Sequence, residues 1–197
     1  MIDSREANRN YYNFLLESFS CPLMTEEELN MVHMLKASDS TRYIFRKHTH
    51  VDMEEVVRFR QEIDYSRFLQ YIRVEPDLHE FLRLIKSKYH TAISTNRTTI
   101  DIIMDTYELT PWFDMVVTAN DVKKSKPAPD ALFKILDTFK VSRKEALYIG
   151  DSEVDQKHCQ AVGVDMIAYK SPALEAKYHV SSFMEILQLP PFTRPSR

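Results

Sequence analysis

Residues 146–163 read Ala146-Leu147-Tyr148-Ile149-Gly150-Asp151-Ser152-Glu153-Val154-Asp155-Gln156-Lys157-His158-Cys159-Gln160-Ala161-Val162-Gly163. A short apolar run, Ala146 to Ile149, stops at a glycine and an acid, and an amphipathic stretch comes next, from Glu153 to Val162. This is the pattern of strand, tight turn and helix. It recurs on both sides. Further apolar runs lie at Thr91–Ser94, Met115–Thr118 and Met166–Tyr169, with a weaker one at Tyr178–Val180. Helical stretches separate them at Asp77–Lys88, Thr98–Tyr107, Asp130–Phe139 and Ser182–Leu187. No hairpin turn joins the runs, so the spacing predicts an α/β unit with a parallel sheet and right-handed crossovers.

Upstream of Pro76 the character changes to helix after helix with short polar joints. Helices are predicted over Asn8–Phe19, Leu29–Lys36, Asp39–Lys47 and Met53–Ile72, and Thr25 with Glu28 has the capping-box spacing in front of the second. The predicted organisation is a helical domain over 1–74, an α/β domain over 75–189 and a Pro-rich tail over 190–197 that frays.

Composition narrows the classes. A chain of 197 residues that is 44% hydrophobic can bury a substantial core. The 26 basic and 29 acidic residues leave a charge of -3 with no long single-sign run, so no nucleic-acid partner is expected. No apolar stretch approaches the roughly 18 residues of a spanning helix, so no membrane is expected and the reading is cytoplasmic. Cys21 and Cys159 have no metal-site or framework spacing and read as two reduced thiols. Only Gly150 and Gly163 occur, where average usage would give about 14, so each is expected where a side chain would do harm.

In an open parallel sheet, ligands bind beyond the carboxyl ends of the strands. Three such ends are polar here: Ser94-Thr95-Asn96-Arg97; Lys123-Lys124-Ser125-Lys126-Pro127-Ala128-Pro129-Asp130; and Gly150-Asp151-Ser152-Glu153-Val154-Asp155. Asp151 and Asp155, four apart, can share a face and suit magnesium, which takes one or two carboxylates and completes its shell with water and phosphate. They equally suit a helix cap and a solvated first-turn acid. Lys126 is held between prolines near the rim, where its ammonium could neutralise a phosphate and an aspartate, or it is simply solvent-exposed. The Thr95 hydroxyl and the amide at Asn96 can cradle phosphate oxygens, or the hydroxyl can serve local backbone.

In that order, Ala92-Ile93-Ser94-Thr95-Asn96, Lys126-Pro127-Ala128-Pro129-Asp130 and Tyr148-Ile149-Gly150-Asp151-Ser152-Glu153-Val154-Asp155 resemble motifs two, three and four of the haloacid dehalogenase-like hydrolases, in the phosphoglycolate phosphatase and beta-phosphoglucomutase branch. The likeness runs from about Glu75 to Ala176, and Gly163 falls where that family has a helix-ending glycine. The resemblance implies a Rossmann-like core with an inserted all-helical cap that selects the substrate. It also implies a small phosphorylated metabolite as partner, Thr95 and Asn96 on the phosphoryl group, Lys126 balancing its charge, Asp151 on Mg2+, and Asp155 as a further ligand or its supporting partner. Catalysis in the family passes through an aspartyl-phosphate.

The family's first motif, Asp-x-Asp-Gly-Thr, is absent from these residues. Met1-Ile2-Asp3-Ser4 resembles the residues immediately C-terminal to that motif, so Asp3 is not the nucleophile. The first core strand is therefore expected to be missing and the sheet interrupted, or filled by a swapped segment or the 190–197 tail. Exposed sheet edges favour a homo-oligomer. Two functions stay open: a phosphatase whose longer parent carries the first motif, and a non-catalytic binding or regulatory protein. A receiver-type domain would place its acids early and its lysine last, the reverse of the order here. A dehalogenase would not use the Asp151 and Asp155 pair. A basic cluster at Arg42, Arg46, Lys47 and His48 is either an anion contact or a solvated helix face.

Overall fold

In a computed structural model, which describes residues 1–98 and 100–193, the chain divides into two units, Met1–Glu75 with Thr99–Tyr107, and Pro76–Thr98 with Glu108–Arg197. Residues 194–197 of the Pro-rich tail lie outside the described residues; Pro190–Thr193 form a helical turn.

The first unit is built on four helices, α1 (Arg5–Ser18), α2 (Glu26–Met34), α3 (Ala37–Phe45) and α4 (Met53–Glu62). Their apolar faces meet in a core containing Leu15, Leu16, Leu29, Val32, Ile44, Phe45 and Val56. The Thr25 hydroxyl accepts from the Glu28 amide and the Glu28 carboxylate accepts from the Thr25 amide, so both orphan donors at the start of α2 are satisfied. The same Glu28 pairs with Arg46 at 3.0 Å and Lys47 at 3.8 Å, and Asp39 pairs with Arg42 at 3.5 Å, so much of the basic cluster is neutralised within its own unit.

Two local features differ from the sequence expectation. The helix predicted over 53–72 breaks after Glu62, because Ile63 is extended and the Asp64 carboxylate accepts from the Ser66 amide, starting a separate 3-10 turn over Tyr65–Tyr71. The ends of the helical stretch are also tied by a ribbon, β1 (Ile2–Asp3) antiparallel to β2 (Arg73–Val74). Helix α6 (Asp101–Thr106) clusters with this unit, since Ile103 packs with Ala7 and Ile72 and the Tyr107 hydroxyl donates to the Leu69 carbonyl at 2.8 Å.

The second unit is α/β. Strand β3 (Ala92–Ser94) runs parallel to β4 (Met115–Val117), and β5 (Leu147–Gly150), β6 (Asp165–Tyr169) and β7 (Tyr178–Val180) form a second parallel group in that order. Helices α5 (Leu78–Ile85), α7 (Asp130–Phe139), α8 (Glu153–Val162) and α9 (Phe183–Ile186) complete the unit. Leu132, Leu136, Cys159, Val162 and Met166 form one of its apolar clusters. Helix α8 ends on Gly163 at φ 79°, a left-handed cap that only glycine adopts freely. Among the described residues no strand pairs with both β3 and β5, so the parallel strands fall into two groups. No helix among the described residues is long and apolar enough to cross a membrane.

The start of the β3–β4 pair is stapled by Asp114. Its amide donates to the Thr91 carbonyl at 2.8 Å, its carboxylate accepts from the Thr91 amide at 2.9 Å, and Lys86 pairs with it. The Lys86 ammonium and then the Thr91 amide hold the Asp114 carboxyl below the usual carboxylate range. A lowered carboxyl pKa contributes stability above the unfolded value and loses it as pH falls through the folded value. Urea midpoints measured from pH 7 down to pH 3 should therefore fall further for the parent chain than for Asp114→Asn, and parallel declines would show that the staple contributes nothing.

Candidate functional site

Strand β3 offers an unpaired edge. The Thr91 carbonyl accepts from the Asp114 amide and the Thr95 amide donates to Val117, so residues of that parity face β4. The amide groups of Ala92 and Ser94 must then point the opposite way, where no strand among the described residues meets them. An unsatisfied carbonyl there would cost about 1–3 kcal/mol. The Ser94 carbonyl instead accepts from the Lys126 ammonium at 2.9 Å.

Lys126 lies in the turn before α7, where the Ala128 amide donates to Ser125 and the Lys126–Pro127 peptide is cis. Its ammonium also donates to the Tyr148 hydroxyl at 3.0 Å and to Asp155 Oδ1 at 2.8 Å. An ammonium has three N–H donors, so all three have partners. The Tyr148 hydroxyl, on β5, accepts from Lys126 and donates to the same Asp155 oxygen at 2.9 Å. On the other side of the carboxylate, Oδ2 accepts from the Ser152 hydroxyl at 2.7 Å and the Asp151 amide at 3.4 Å. Ser152 in turn caps α8 by accepting from the Asp155 amide.

The electrostatics are set by burial and pairing. Burial pushes the Lys126 ammonium down, but Tyr148 and the Asp155 carboxylate outweigh it and the net shift is upward. Burial pushes the Asp155 carboxyl up, yet Lys126, Ser152 and Tyr148 bring it below its ordinary value. Both partners are therefore charged near neutral pH. The Tyr148 phenol is raised, mainly by burial, and stays protonated.

The remaining rim residues stand beside this network. The Asn96 side-chain amide donates to the Lys126 carbonyl at 3.0 Å, and the Thr95 hydroxyl accepts from the Arg97 amide at 3.2 Å. Asp151 is exposed, and its carbonyl accepts from Ser171 at 2.7 Å. Asp155, expected as a metal ligand or as the supporting partner of one, is 6% exposed with both oxygens engaged, whereas Asp151 is exposed. No group of three or more His, Cys, Asp or Glu side chains that could hold a metal occurs among the described residues. The structure thus joins the three strand ends through one lysine. Tyr148, Ser94 and His158 complete the cluster, and residue type alone did not single them out.

The sequence profile of the haloacid dehalogenase-like hydrolases matches residues 1–169. The chain belongs to that family. A haloacid dehalogenase superfamily hydrolase, subfamily IA, variant 1, of Geobacter sulfurreducens PCA is 32% identical with a TM-score of 0.81, over 95% of this chain and 93% of that one. A predicted phosphoglycolate phosphatase of Haemophilus somnus 129PT has the same TM-score at 17% identity, over 95% and 92%, and so shows the fold. Pyrophosphatase PpaX of Bacillus cereus (strain G9842) is 29% identical over 114 residues, 56% of this chain and 53% of its own length. The chain spans about half the length of the curated relatives it matches.

Within this hydrolase-family core, Gly150 is required by close approach. A Cβ there would lie 2.5 Å from Asp155 Cβ and 2.9 Å from its Cγ, so Gly150→Ala should shift Asp155 off Lys126 and lower unfolding free energy by about 1–3 kcal/mol in urea titrations. Lys126→Met, which leaves the carboxylate buried alone, should cost about 3–5 kcal/mol, and Lys126→Met with Asp155→Asn much less than the sum of the single changes. Strict additivity in that cycle would show that the two groups do not interact.

Proposed function

We propose that this rim binds the phosphoryl group of a small phosphorylated metabolite, as the substrate half of a magnesium-dependent phosphatase. The observation that supports it most is the joining of three strand ends by Lys126, with the Thr95 hydroxyl and the Asp151 carboxylate on residues adjoining that network. Thr95 would bind a phosphoryl oxygen with Asn96 beside it. Lys126, its donors engaged, would act on the phosphate through its charge. That charge is largely cancelled by Asp155 at 2.8 Å, and Asp151 adds a negative one at the rim. A phosphate dianion would therefore meet an unfavourable field unless a divalent cation came with it.

Magnesium fits this donor set. It takes one or two protein carboxylates and fills the rest of its shell with water and substrate phosphate, so Asp151 alone suffices for a metal that arrives with its phosphate. When bound, the ion would polarise the phosphoryl oxygens. Asp155 would act through Lys126 and the start of α8, not as a ligand.

The Asp-x-Asp-Gly-Thr element called for by the family resemblance is not among the 197 residues, so we read these residues as binding and charge-balancing parts of the catalyst, inactive by themselves. The same fact favours a second reading, a non-catalytic phosphate-binding or regulatory protein. The compartment is read as cytoplasmic, where the buried thiols of Cys21 and Cys159 stay reduced, and the open sheet edge favours a homo-oligomer. Calorimetry with inorganic phosphate should show binding that needs Mg2+ and that Asp151→Asn and Thr95→Ala each weaken by roughly tenfold or more. Equal affinity in all three proteins would sink the assignment. Turnover of an aryl phosphate should be absent, and turnover abolished by Asp151→Ala would reveal an unrecognised phosphoryl acceptor.

A further inference from the structure

We infer that His158 is a positioning residue for Lys126, the residue by which helix α8 holds the lysine-bearing turn in place. It deepens the reading of the rim as a phosphate site, but its geometry stands without that reading. His158 is fully buried, one turn beyond Asp155 on the same face of α8. Its Nδ1 lies 2.7 Å from the Ala128 carbonyl, two residues after Lys126. A carbonyl only accepts, so Nδ1 carries the proton and Nε2 keeps its lone pair. Nε2 faces the Ser94 hydroxyl at 3.4 Å, and Ser94 is the residue whose carbonyl receives the Lys126 ammonium. The imidazole also packs edge-on to the Tyr148 ring, with centroids 5.8 Å apart. From its place on α8, which supplies Asp155, one side chain therefore touches the end of β3 and β5, which supply the other two partners of the ammonium, and the turn at 125–129 that carries the lysine.

The imidazole is held neutral, first by burial and then by the nearby Lys126 cation, and the Ala128 carbonyl selects the tautomer with its proton on Nδ1. Neighbouring positions on α8 that face inward are Cys159 and Val162, which hold the helix by apolar packing alone. A small apolar residue at 158 would serve that packing and leave the Ala128 carbonyl and the Ser94 hydroxyl without this partner.

The test reads Lys126 itself. Only the neutral amine reacts with an acylating reagent, so trace labelling of the whole chain with acetic anhydride, combined with mass spectrometry, reports how firmly each ammonium is held. Lys126 should be the protected lysine of the parent chain against exposed Lys144. In His158→Ala, with folding confirmed by urea titration, its labelling relative to Lys144 should rise by roughly tenfold, the scale of one lost hydrogen bond. His158→Asn places an amide N–H where Nδ1–H was and should keep Lys126 within about threefold of the parent. If His158→Ala does not fold, the Asn variant alone decides, since parent-like protection supports the link to Ala128. Unchanged Lys126 labelling in a folded His158→Ala protein, a uniform rise at all lysines, or an Asn variant no better than Ala would overturn the inference. None of these readouts requires that the rim bind phosphate, so a failed phosphate titration and a failed His158 test are separate results.

Discussion

A buried ammonium with one acceptor for each of its three hydrogens is the interaction on which the α/β unit depends. Lys126 reaches the carbonyl at the end of β3, the phenol on β5 and the carboxylate on α8. Taking an ion pair out of water is costly, and a well-packed apolar substitute is often as stable. What such a pair secures is geometry, because losing either partner strands a charge. Here it also answers a backbone need: the Ser94 carbonyl faces away from β4, and Lys126 supplies a donor at that interrupted edge.

That arrangement constrains what the rim can do with an anion. A lysine waiting for a phosphate would keep a free N–H and its full charge, whereas Lys126 has all three donors engaged and offers only the part of its charge that Asp155 leaves uncancelled. Recognition of a phosphate would then rest on groups whose donors point out of the network, and on a cation delivered with the ligand. The closed network is preorganised, so a ligand bound as proposed would meet dipoles that need no reorganisation.

How far this could be read from the sequence depends on whether a signal is periodic or directional. Helices α7 and α8 fall at the predicted residues, and the parallel strands lie within a residue or two of theirs, because apolar period and capping chemistry are local. The break at Ile63 was masked by apolar spacing that continues through Phe68, although Asp64 and Ser66 carried the signal for a new cap. The β1–β2 ribbon has two residues in each strand, too few to show a period of two. Lys126 and Asp155 could be placed on one rim by strand order, but not their hydrogen-bond partners. Tyr148 reads as any aromatic in a half-buried strand and His158 as any histidine in an amphipathic helix, and only the direction of each side chain distinguishes them.

The scarcity of glycine ties these levels together. With two in the chain, neither is incidental: one ends α8 and the other precedes it. Gly150 lets Asp155 lie against the β5 backbone, which brings its Oδ1 to Lys126 and its Oδ2 to Ser152 and the Asp151 amide. Gly163, in a left-handed conformation, turns the chain back into β6, whose Met166 packs in the same cluster as Cys159 and Val162 of α8. The helix that carries Asp155 and His158 is thus fixed at both ends by backbone conformations or approaches that a side chain would disturb. A shift of α8 by even an ångström would exceed the tolerance of a 2.8 Å ion pair, so the lysine's position depends on these two residues without side chains as much as on its own partners.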